Sequence, residues 1–376
     1  MNPANPDSKP PVAGLTVVQV VPRLHVGGVE RGTIEFANHL LQNGHRPVVI
    51  SAGGQMVEQL NLAGIEHIQM DVASKSVMMF FKSAKLRQIL EQLKPDVVHA
   101  RSRVPAWMCH LAIRKMTHKP LFITTLHGLH SVNRYSAIMA SSDQVIAVSE
   151  TARSYLQENY QRHLKADPVV IYRGISEAFN PNHKIPAEWL RQWQRKHPHI
   201  QSCRKVLLPG RLTRLKGLEN LLPWLQQAPA DVVLLLTAEP EDSGYAGEMI
   251  RRLEQLQLTE RVCWLGVERD MPSLYQCVDL VVSVNNKPES FGRTVLEALS
   301  MGVPVVGFAM GGVQEVMAQL FPEGLVPAGN ISALTDSINQ LLDQPSEVKS
   351  HSPFSNQRMF TETVSLYHQL LEQRCE

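Results

Sequence analysis

The chain has 376 residues, more than one hydrophobic core usually serves, so two domains of about 150–200 residues each are expected. Apolar residues make up 44% of the sequence and charged residues 19%, which is typical of a folded globular protein and excludes an intrinsically disordered one. The 37 Lys and Arg residues nearly balance the 35 Asp and Glu residues, leaving a formal charge of +2. This balance indicates no general affinity for nucleic acid, and no nucleic-acid partner is expected.

The cysteines and the first residues indicate the cellular compartment of the protein. Five cysteines are scattered without a C-x-x-C pair, which is typical of reduced thiols in the cytoplasm and argues against a disulfide framework or a zinc cluster. The stretch from Met1 to Pro11 is polar and proline-rich and lacks the apolar run of a signal peptide, so a flexible leader is expected over residues 1–14. Because no window approaches about 18 consecutive apolar residues, no membrane-spanning helix is predicted.

Short β-branched runs alternate with helix-like spacing through the first half of the chain. This alternation predicts a parallel sheet in a domain over residues 15–180, with an amphipathic helix near Val29 to Asn43. Residues 181–204 contain prolines and charges that interrupt the alternation, and they are predicted to connect two domains and to include a surface helix. The first domain's strands are predicted at Thr16–Val21, Pro47–Ile50, Asp96–His99, Leu121–Thr125, Gln144–Val148 and Val169–Tyr172.

The alternation restarts at Lys205, which predicts a second domain over residues 205–354. The predicted fold class is therefore α/β, with two Rossmann-like, doubly wound parallel-sheet domains facing an interdomain cleft, where ligands of such sheets bind. Residues 355–376 are predicted to form a helix that packs back on the first domain through Phe360, Val364, Tyr367 and Leu371. The second domain's strands are predicted at Val206–Leu208, Val232–Thr237, Val262–Leu265, Leu280–Val284 and Val303–Phe308.

The most informative segment runs from Pro288 to Val306, from a loop into a helix near Gly292 and back to a strand. Free backbone N–H groups at such a helix start suit a phosphate. Glu297 lies about one turn into the helix, roughly 6–7 Å along its axis, which is about the distance from a nucleotide's diphosphate to its ribose hydroxyls. Glu289, in the loop, would then face the sugar end of the nucleotide. The alternative is that both are ordinary surface glutamates.

A basic loop, Gly210–Gly217, follows the first strand of the second domain. Arg211 and Lys216 on this loop suit a leaving diphosphate, which gains negative charge in the transition state. Taken alone, a basic loop is more often a solvated surface. Its position opposite the predicted phosphate-binding helix favours binding of the diphosphate by Arg211 and Lys216 together.

Two features of the first domain also follow strands. Gly27 and Gly28 permit close approach of the backbone to a ligand, although they do not complete the G-x-G-x-x-G pattern of a dinucleotide site. His127 ends a predicted strand and is expected to face the cleft, although a single histidine at such a position is usually structural.

Together these segments resemble a retaining glycosyltransferase of family 4, which has the GT-B fold. The resemblance covers nearly the whole chain after the leader, and the combination of motifs is more specific than any one of them. Its strongest element is the pair Glu289 and Glu297, which are separated by seven residues. The other elements are Ala298–Leu299, Gly302–Val306, Gly27–Gly28, His127, Val148–Glu150 and the loop Gly210–Gly217.

The resemblance implies transfer of a hexose or related sugar from a UDP- or GDP-sugar with retention at the anomeric carbon, without a metal ion or other cofactor. It implies that Arg211 and Lys216 hold the diphosphate, that Glu297 holds the ribose, and that His127 and Glu289 are the catalytic residues. No side chain is an obvious nucleophile, which fits a front-face mechanism in which the leaving phosphate helps to deprotonate the acceptor. The implied donor-binding residues are Gly28, Arg211, Lys216, Glu289, Ser290, Phe291, Gly292 and Glu297.

Three arginines are candidates for contact with the acceptor. Arg101 and Arg103 follow a strand and suit a carboxylate or a phosphate. With Gly27–Gly32, their segment resembles bacterial glycosyltransferases of lipopolysaccharide core assembly, which implies a glycolipid or oligosaccharide acceptor. Many family members carry Asn-Gly-Val-Asp where this chain has Tyr172–Ser176, and Arg173 in that segment either contacts an anionic acceptor or anchors the hinge.

The segment from Ser74 to Lys115 is basic and includes the apolar run Val77–Phe81. Basic and apolar residues together favour docking of residues 74–90 on an anionic membrane, here the cytoplasmic face of an inner membrane. An amphipathic helix with a buried apolar side explains the pattern equally well. The nine Lys and Arg residues are Lys75, Lys82, Lys85, Arg87, Lys94, Arg101, Arg103, Arg114 and Lys115, against only Glu91 and Asp96.

Two other functions remain open on the sequence alone. A sugar-nucleotide epimerase shares the two-domain architecture and would consume the donor without an acceptor. A non-catalytic glycan- or nucleotide-binding protein is the other alternative, but such a protein has no need to keep Arg211, Lys216, Glu289 and Glu297 together.

Overall fold

The computed structural model describes residues 14–25, 27–73, 78–349 and 352–375, and its chain divides into two compact units. The described residues of the first unit lie within Met1–Val148, Arg153–Ile171 and Phe360–Glu376, and those of the second within Ser149–Ala152 and Tyr172–Met359. The predicted leader, apart from residue 14, lies outside the described residues.

The first unit is built on a seven-stranded sheet in the order β3-β2-β1-β4-β5-β6-β7, with all neighbours parallel. This confirms the predicted doubly wound sheet. The edge strand β3 was missed, because its sequence Glu-His-Ile-Gln is not apolar. The strands are β1 (Thr16–Val20), β2 (Arg46–Ser51), β3 (Glu66–Gln69), β4 (Val97–Ala100), β5 (Leu121–Leu126), β6 (Gln144–Ala147) and β7 (Val169–Val170).

The second unit is built on a six-stranded parallel sheet in the order β10-β9-β8-β11-β12-β13. Its strands are buried almost throughout, as in Val232–Leu236, because helices cover both faces of such sheets. The two-residue edge strand β13 was not predicted. The strands are β8 (Arg204–Leu208), β9 (Val232–Leu236), β10 (Val262–Trp264), β11 (Leu280–Ser283), β12 (Val305–Phe308) and β13 (Leu325–Val326).

The described helices lie between these strands or follow the last of them, and none of them is long and apolar enough to cross a bilayer. The α-helices are α1 (Gly28–Gln42), α2 (Val57–Leu62), α3 (Met78–Leu93), α4 (Arg103–Ile113), α5 (Glu150–Tyr160), α6 (Ala187–Lys196), α7 (Leu222–Gln227), α8 (Gly244–Gln255), α9 (Met271–Tyr275), α10 (Arg293–Ser300), α11 (Gly311–Leu320), α12 (Ile331–Asp343) and α13 (Asn356–Cys375). Short 3₁₀ helices lie at Ser136–Ala140, Gln161–His163, Pro198–Ile200, Leu218–Leu221, Thr259–Arg261 and Pro322–Gly324.

The boundary between the units differs from the prediction. It falls between residues 171 and 172 rather than after residue 180, and Tyr172 packs on Phe354 within the second unit with ring centroids 5.3 Å apart. The predicted connection, residues 181–204, is also part of the second unit. There His183 is hydrogen-bonded to the Ser273 hydroxyl at 3.0 Å, and His197 lies 3.5 Å from the Cys263 thiol.

The last helix, α13, packs in the first unit from Phe360 onward. Phe360 lies against Phe36 with ring centroids 5.4 Å apart, and the Tyr367 hydroxyl is hydrogen-bonded to Nδ1 of His99 at 2.6 Å. The other ring nitrogen of His99 is hydrogen-bonded to the Thr125 hydroxyl at 2.7 Å. Burial holds the pKa of His99 well below its usual value, so the ring is neutral at pH 7.

Removing the Tyr367 hydroxyl tests this anchor of the last helix. We expect Tyr367→Phe to lower the free energy of unfolding by about 1–3 kcal/mol, because Nδ1 of buried His99 loses its partner. Urea denaturation measures the change. Gln369→Ala, at an exposed position of the same helix, is the control and should change the value by less than about 0.5 kcal/mol. An equal change in the free energy of unfolding for both variants would show that the hydrogen bond does not anchor α13.

Candidate functional site

The carboxyl edge of the second sheet gathers the predicted donor-binding loops. Lys216 follows β8, Glu289 follows β11, and α11 begins after β12, and these three strands are neighbours in the sheet. Their carboxyl ends meet at one edge because the pairing is parallel. The order of the strands reverses between β8 and β11, and open α/β sheets bind ligands at such a reversal.

An ion pair joins two of these loops. Nζ of Lys216 lies 2.7 Å from Oε1 of Glu289, and the two side chains are only 15% and 19% exposed. The loops are also held together through their backbones, because the N–H of Asn286 donates to the carbonyl oxygen of Leu215 at 2.9 Å. Arg211, the other predicted phosphate ligand, is exposed.

Helix α10 begins at this edge in a tightly packed turn. Gly292 precedes it with a φ of +78°, and a Cβ atom there would lie 2.9 Å from Val313 Cγ2 of α11. Phe291 is buried beside Gly312, whose N–H donates to the carbonyl oxygen of Glu289 at 2.9 Å. Among the described residues no side chain caps the first turn of α10, so its N–H groups suit an anion, in line with the interpretation of the sequence.

Glu297 lies in the second turn of α10 and is buried, with 6% of its surface exposed. Its Oε1 accepts a hydrogen bond from Nε of Arg293 at 2.7 Å, and its Oε2 accepts one from the Tyr275 hydroxyl at 3.2 Å. Burial and the adjacent Glu297 carboxylate raise the pKa of Tyr275 well above its usual value, so the hydroxyl stays protonated and can donate. Tyr275 was not predicted from the sequence. The available signal was an aromatic residue with a polar tip in an apolar segment.

Ser290 is held by the segment Ser149–Ala152, which belongs to the second unit. The Ser149 hydroxyl donates to the carbonyl oxygen of Ser290 and accepts from the N–H of Ala152 at 3.0 Å. The Glu315 carboxylate of α11 accepts from the N–H groups of Glu150 and Thr151 at 2.9 and 2.7 Å. These contacts give a structural reason for the Val-Ser-Glu motif found in the sequence.

The carboxyl edge of the first sheet gathers the candidate residues of the first unit. Gly28 begins α1 after β1, Arg101 and Arg103 follow β4, and His127 follows β5. These strands are parallel neighbours, so the four residues lie at one edge. His127 is half-buried there.

The candidate acceptor arginines have different surroundings. Arg101 is buried with its guanidinium 5.4 Å from the centre of the Phe36 ring, and burial lowers its pKa to about 10. Arg103 is half-buried and donates from Nη1 to the Ser136 hydroxyl at 3.2 Å. Arg173 is half-buried and belongs to the second unit.

His130, four residues after the end of β5, was missed by the sequence analysis. Burial and the nearby Arg103 lower its pKa to about 4, so it is neutral at pH 7. No motif in the sequence distinguishes it from an ordinary loop histidine.

In the described part of the chain, no group of three His, Cys, Asp or Glu side chains could hold a metal ion. Metal-free transfer stays a prediction. Cys109, Cys203, Cys263 and Cys277 are free thiols.

Two family models match the chain in succession. Residues 26–179 match the model described as Glycosyltransferase Family 4, and residues 191–358 match the model described as Glycosyl transferases group 1. An uncharacterized glycosyltransferase of Methanocaldococcus jannaschii is 30% identical over 329 residues, which cover 79% of this chain and 80% of that protein.

Solved structures share the fold over nearly the whole chain. A glycosyltransferase of Rickettsia africae has a TM-score of 0.80 at 29% identity and covers 95% of this chain and 99% of its own. HepE of Anabaena, solved with UDP and glucose, has a TM-score of 0.73 at 22% identity and covers 96% of this chain and 99% of its own.

The close packing of Gly292 predicts a measurable cost of substitution. Gly292→Ala is expected to lower the free energy of unfolding by about 2–4 kcal/mol, because an alanine is strained at this φ and its Cβ overlaps Val313. Gly329→Ala is the matched control, since Gly329 has a φ of +75° with open space around it, and should cost about 1–2 kcal/mol. Chemical denaturation measures both. Equal costs would contradict close packing between α10 and α11.

Proposed function

Because the chain belongs to glycosyltransferase family 4 and has the GT-B fold, we propose that it transfers a hexose from a UDP- or GDP-sugar to an anionic glycolipid with retention of anomeric configuration. Glycosyl transfer from a nucleotide sugar is the function of its family. The observation that carries the finer proposal is the cluster at the carboxyl edge of the second sheet, where the Lys216–Glu289 pair adjoins the start of α10 and Glu297 lies one turn further on.

In this proposal the donor lies along α10. The free N–H groups at Gly292 and the cations Lys216 and Arg211 bind the diphosphate, since charge-assisted hydrogen bonds to phosphate are strong. Glu297 is four residues beyond Arg293, about 6 Å along the axis, and accepts from the ribose hydroxyls. The Glu289 carboxylate and the backbone of Ser290 and Phe291 hold the donor sugar.

The proposed reaction needs no protein nucleophile. The bond between the anomeric carbon and the diphosphate oxygen breaks while the acceptor hydroxyl attacks the same face of the sugar. The acceptor's proton passes to the leaving phosphate oxygen, whose charge Lys216 and Arg211 stabilise. His127 and Glu289 stay the proposed catalytic residues, and no metal ion takes part in the proposed reaction.

The proposed acceptor is a glycan of the lipopolysaccharide core or another bacterial surface polysaccharide. Arg103 and Arg101, at the first sheet's carboxyl edge, support an anionic acceptor. Arg101 is the more buried of the two. Arg173 stays a candidate for contact with the acceptor. Because such an acceptor is linked to a lipid, we propose that the protein transfers the sugar at the cytoplasmic face of a membrane.

A surface on α3 and α4 supports membrane contact. Phe80 and Phe81 are 61% and 69% exposed, and Lys85, Arg114 and Lys115 near them are also exposed. We call these five residues the α3 surface. Exposed aromatic rings beside cations suit insertion into an anionic bilayer, whereas a purely structural amphipathic helix would bury its large apolar side chains. Ser74–Val77 of the predicted membrane segment lie outside the described residues.

Donor binding and product analysis test the proposed function. Isothermal titration with UDP-glucose and GDP-mannose should detect binding of one of them, and Lys216→Met should weaken that binding about 10- to 150-fold, because a charge-assisted contact to phosphate is lost. Lys119→Met, at an exposed position of the first unit, is the control and should bind as the wild type does.

The product distinguishes the functions that share this architecture. Incubation with the bound donor and an anionic core oligosaccharide should give a new glycosidic bond with the donor's anomeric configuration, read by NMR. Inversion would contradict the front-face mechanism. An epimerised nucleotide sugar without transfer would indicate an epimerase, and binding without any turnover would indicate a non-catalytic protein.

Vesicle sedimentation tests the α3 surface. The protein should bind vesicles with about 30% anionic lipid more tightly than neutral vesicles, and Phe80→Ser with Phe81→Ser should weaken binding at least tenfold, because each inserted ring contributes about 1.5–3 kcal/mol. Leu62→Ser is the control, since Leu62 is 83% exposed on α2. Undiminished vesicle binding by the Phe variant would show that the α3 surface does not contact the membrane. If the variant lost self-association instead, the α3 surface would be an interface between copies of the chain.

A further inference from the structure

Tyr275 is the last residue of α9 and is completely buried. Its hydroxyl donates toward two oxygens, Oε2 of Glu297 at 3.2 Å and the carbonyl oxygen of Thr294 at 3.3 Å. Both acceptors belong to α10, so this one hydroxyl ties the Glu297 carboxylate to the backbone of its own helix.

The Glu297 carboxylate has acceptor capacity left over. A carboxylate offers about four lone-pair directions, two on each oxygen. Among the described residues, Arg293 uses one on Oε1 and Tyr275 uses one on Oε2. One direction therefore remains on each oxygen, which matches a pair of neighbouring hydroxyl donors such as the 2′- and 3′-hydroxyls of ribose.

Helix α9 links Tyr275, the partner of this carboxylate, to the loop that precedes the helix. The helix begins after Asp270, whose carboxylate accepts from the N–H and the hydroxyl of Ser273 at 3.3 and 2.8 Å. The exposed residue Val267 lies three positions before Asp270. A fixed helix start and a buried tyrosine at the helix end hold the Tyr275 hydroxyl in one position relative to α10.

We propose that Tyr275 is a positioning residue that fixes the Glu297 carboxylate in the orientation in which it accepts both ribose hydroxyls of the donor. This inference rests on the proposed function, because it needs a nucleotide at α10. Fixing the carboxylate beforehand removes the loss of side-chain freedom that binding would otherwise entail, so the benefit appears in nucleotide affinity. The Arg293 guanidinium holds the other oxygen from the more exposed side of the helix.

The test compares a ribonucleotide with its deoxy analogue. The probes are UDP or GDP, whichever the wild type binds, and its 2′-deoxy form. Tyr275→Phe keeps the buried ring and should weaken binding of the ribonucleotide about 5- to 20-fold, but that of the 2′-deoxy form less than about threefold. In turnover with the sugar nucleotide, KM should rise with kcat little changed, because the lost interaction is uniform binding.

A double-mutant cycle separates positioning from packing. In a Glu297→Ala background, Tyr275→Phe should have no further effect on ribonucleotide affinity, since the carboxylate it orients is gone. Tyr160→Phe, which removes a buried hydroxyl in the first unit, is the control and should leave both affinities unchanged. Equal weakening of the ribo- and deoxynucleotide, or additive effects in the cycle, would overturn the inference. Absence of nucleotide binding by the wild type would instead refute the proposed function.

Discussion

Parallel pairing of neighbouring strands is the constraint on which both candidate edges depend. It places the carboxyl ends of β8, β11 and β12 at one edge, so loops far apart in the sequence meet there. Lys216 and Glu289 are separated by 73 positions, yet their charged atoms lie 2.7 Å apart. In the first unit the same constraint brings the segments after β1, β4 and β5 to one edge. Antiparallel pairing would place successive loops at alternate ends, and neither edge would form.

The half-buried Glu289 and the buried Glu297, both at the second sheet's edge, each have a polar partner. Glu289 is paired with Lys216, and Glu297 is held by Arg293 and Tyr275. An unpaired carboxylate at such burial is costly, so these partners allow the site to stay folded and charged without a ligand. They also fix the orientation of the carboxylates, which reduces the conformational freedom that a ligand must remove on binding. In the proposed function the same contacts serve both stability and recognition.

The sequence was sufficient for the central strands and for the placement of Glu289 in a loop and of Glu297 in the helix that follows it. Central strands of parallel sheets are buried on both faces and appear as continuous apolar runs, whereas the edge strands β3 and β13 are polar or very short and left no such run. Glu297 was predictable because its spacing from the helix start is local. The Tyr275 hydroxyl was not, since its partner is 22 positions away. The burial of Arg101 likewise depends on Phe36, which a local pattern does not reveal.

The central claim is that a sugar nucleotide binds along α10 at the carboxyl edge of the second sheet. The most direct measurement is a crystal structure of the protein with the UDP- or GDP-sugar that it binds. The account predicts the diphosphate at the N–H groups next to Gly292 and at Lys216, with both ribose hydroxyls on Glu297. A nucleotide bound at another location, or one whose ribose does not contact Glu297, would contradict it.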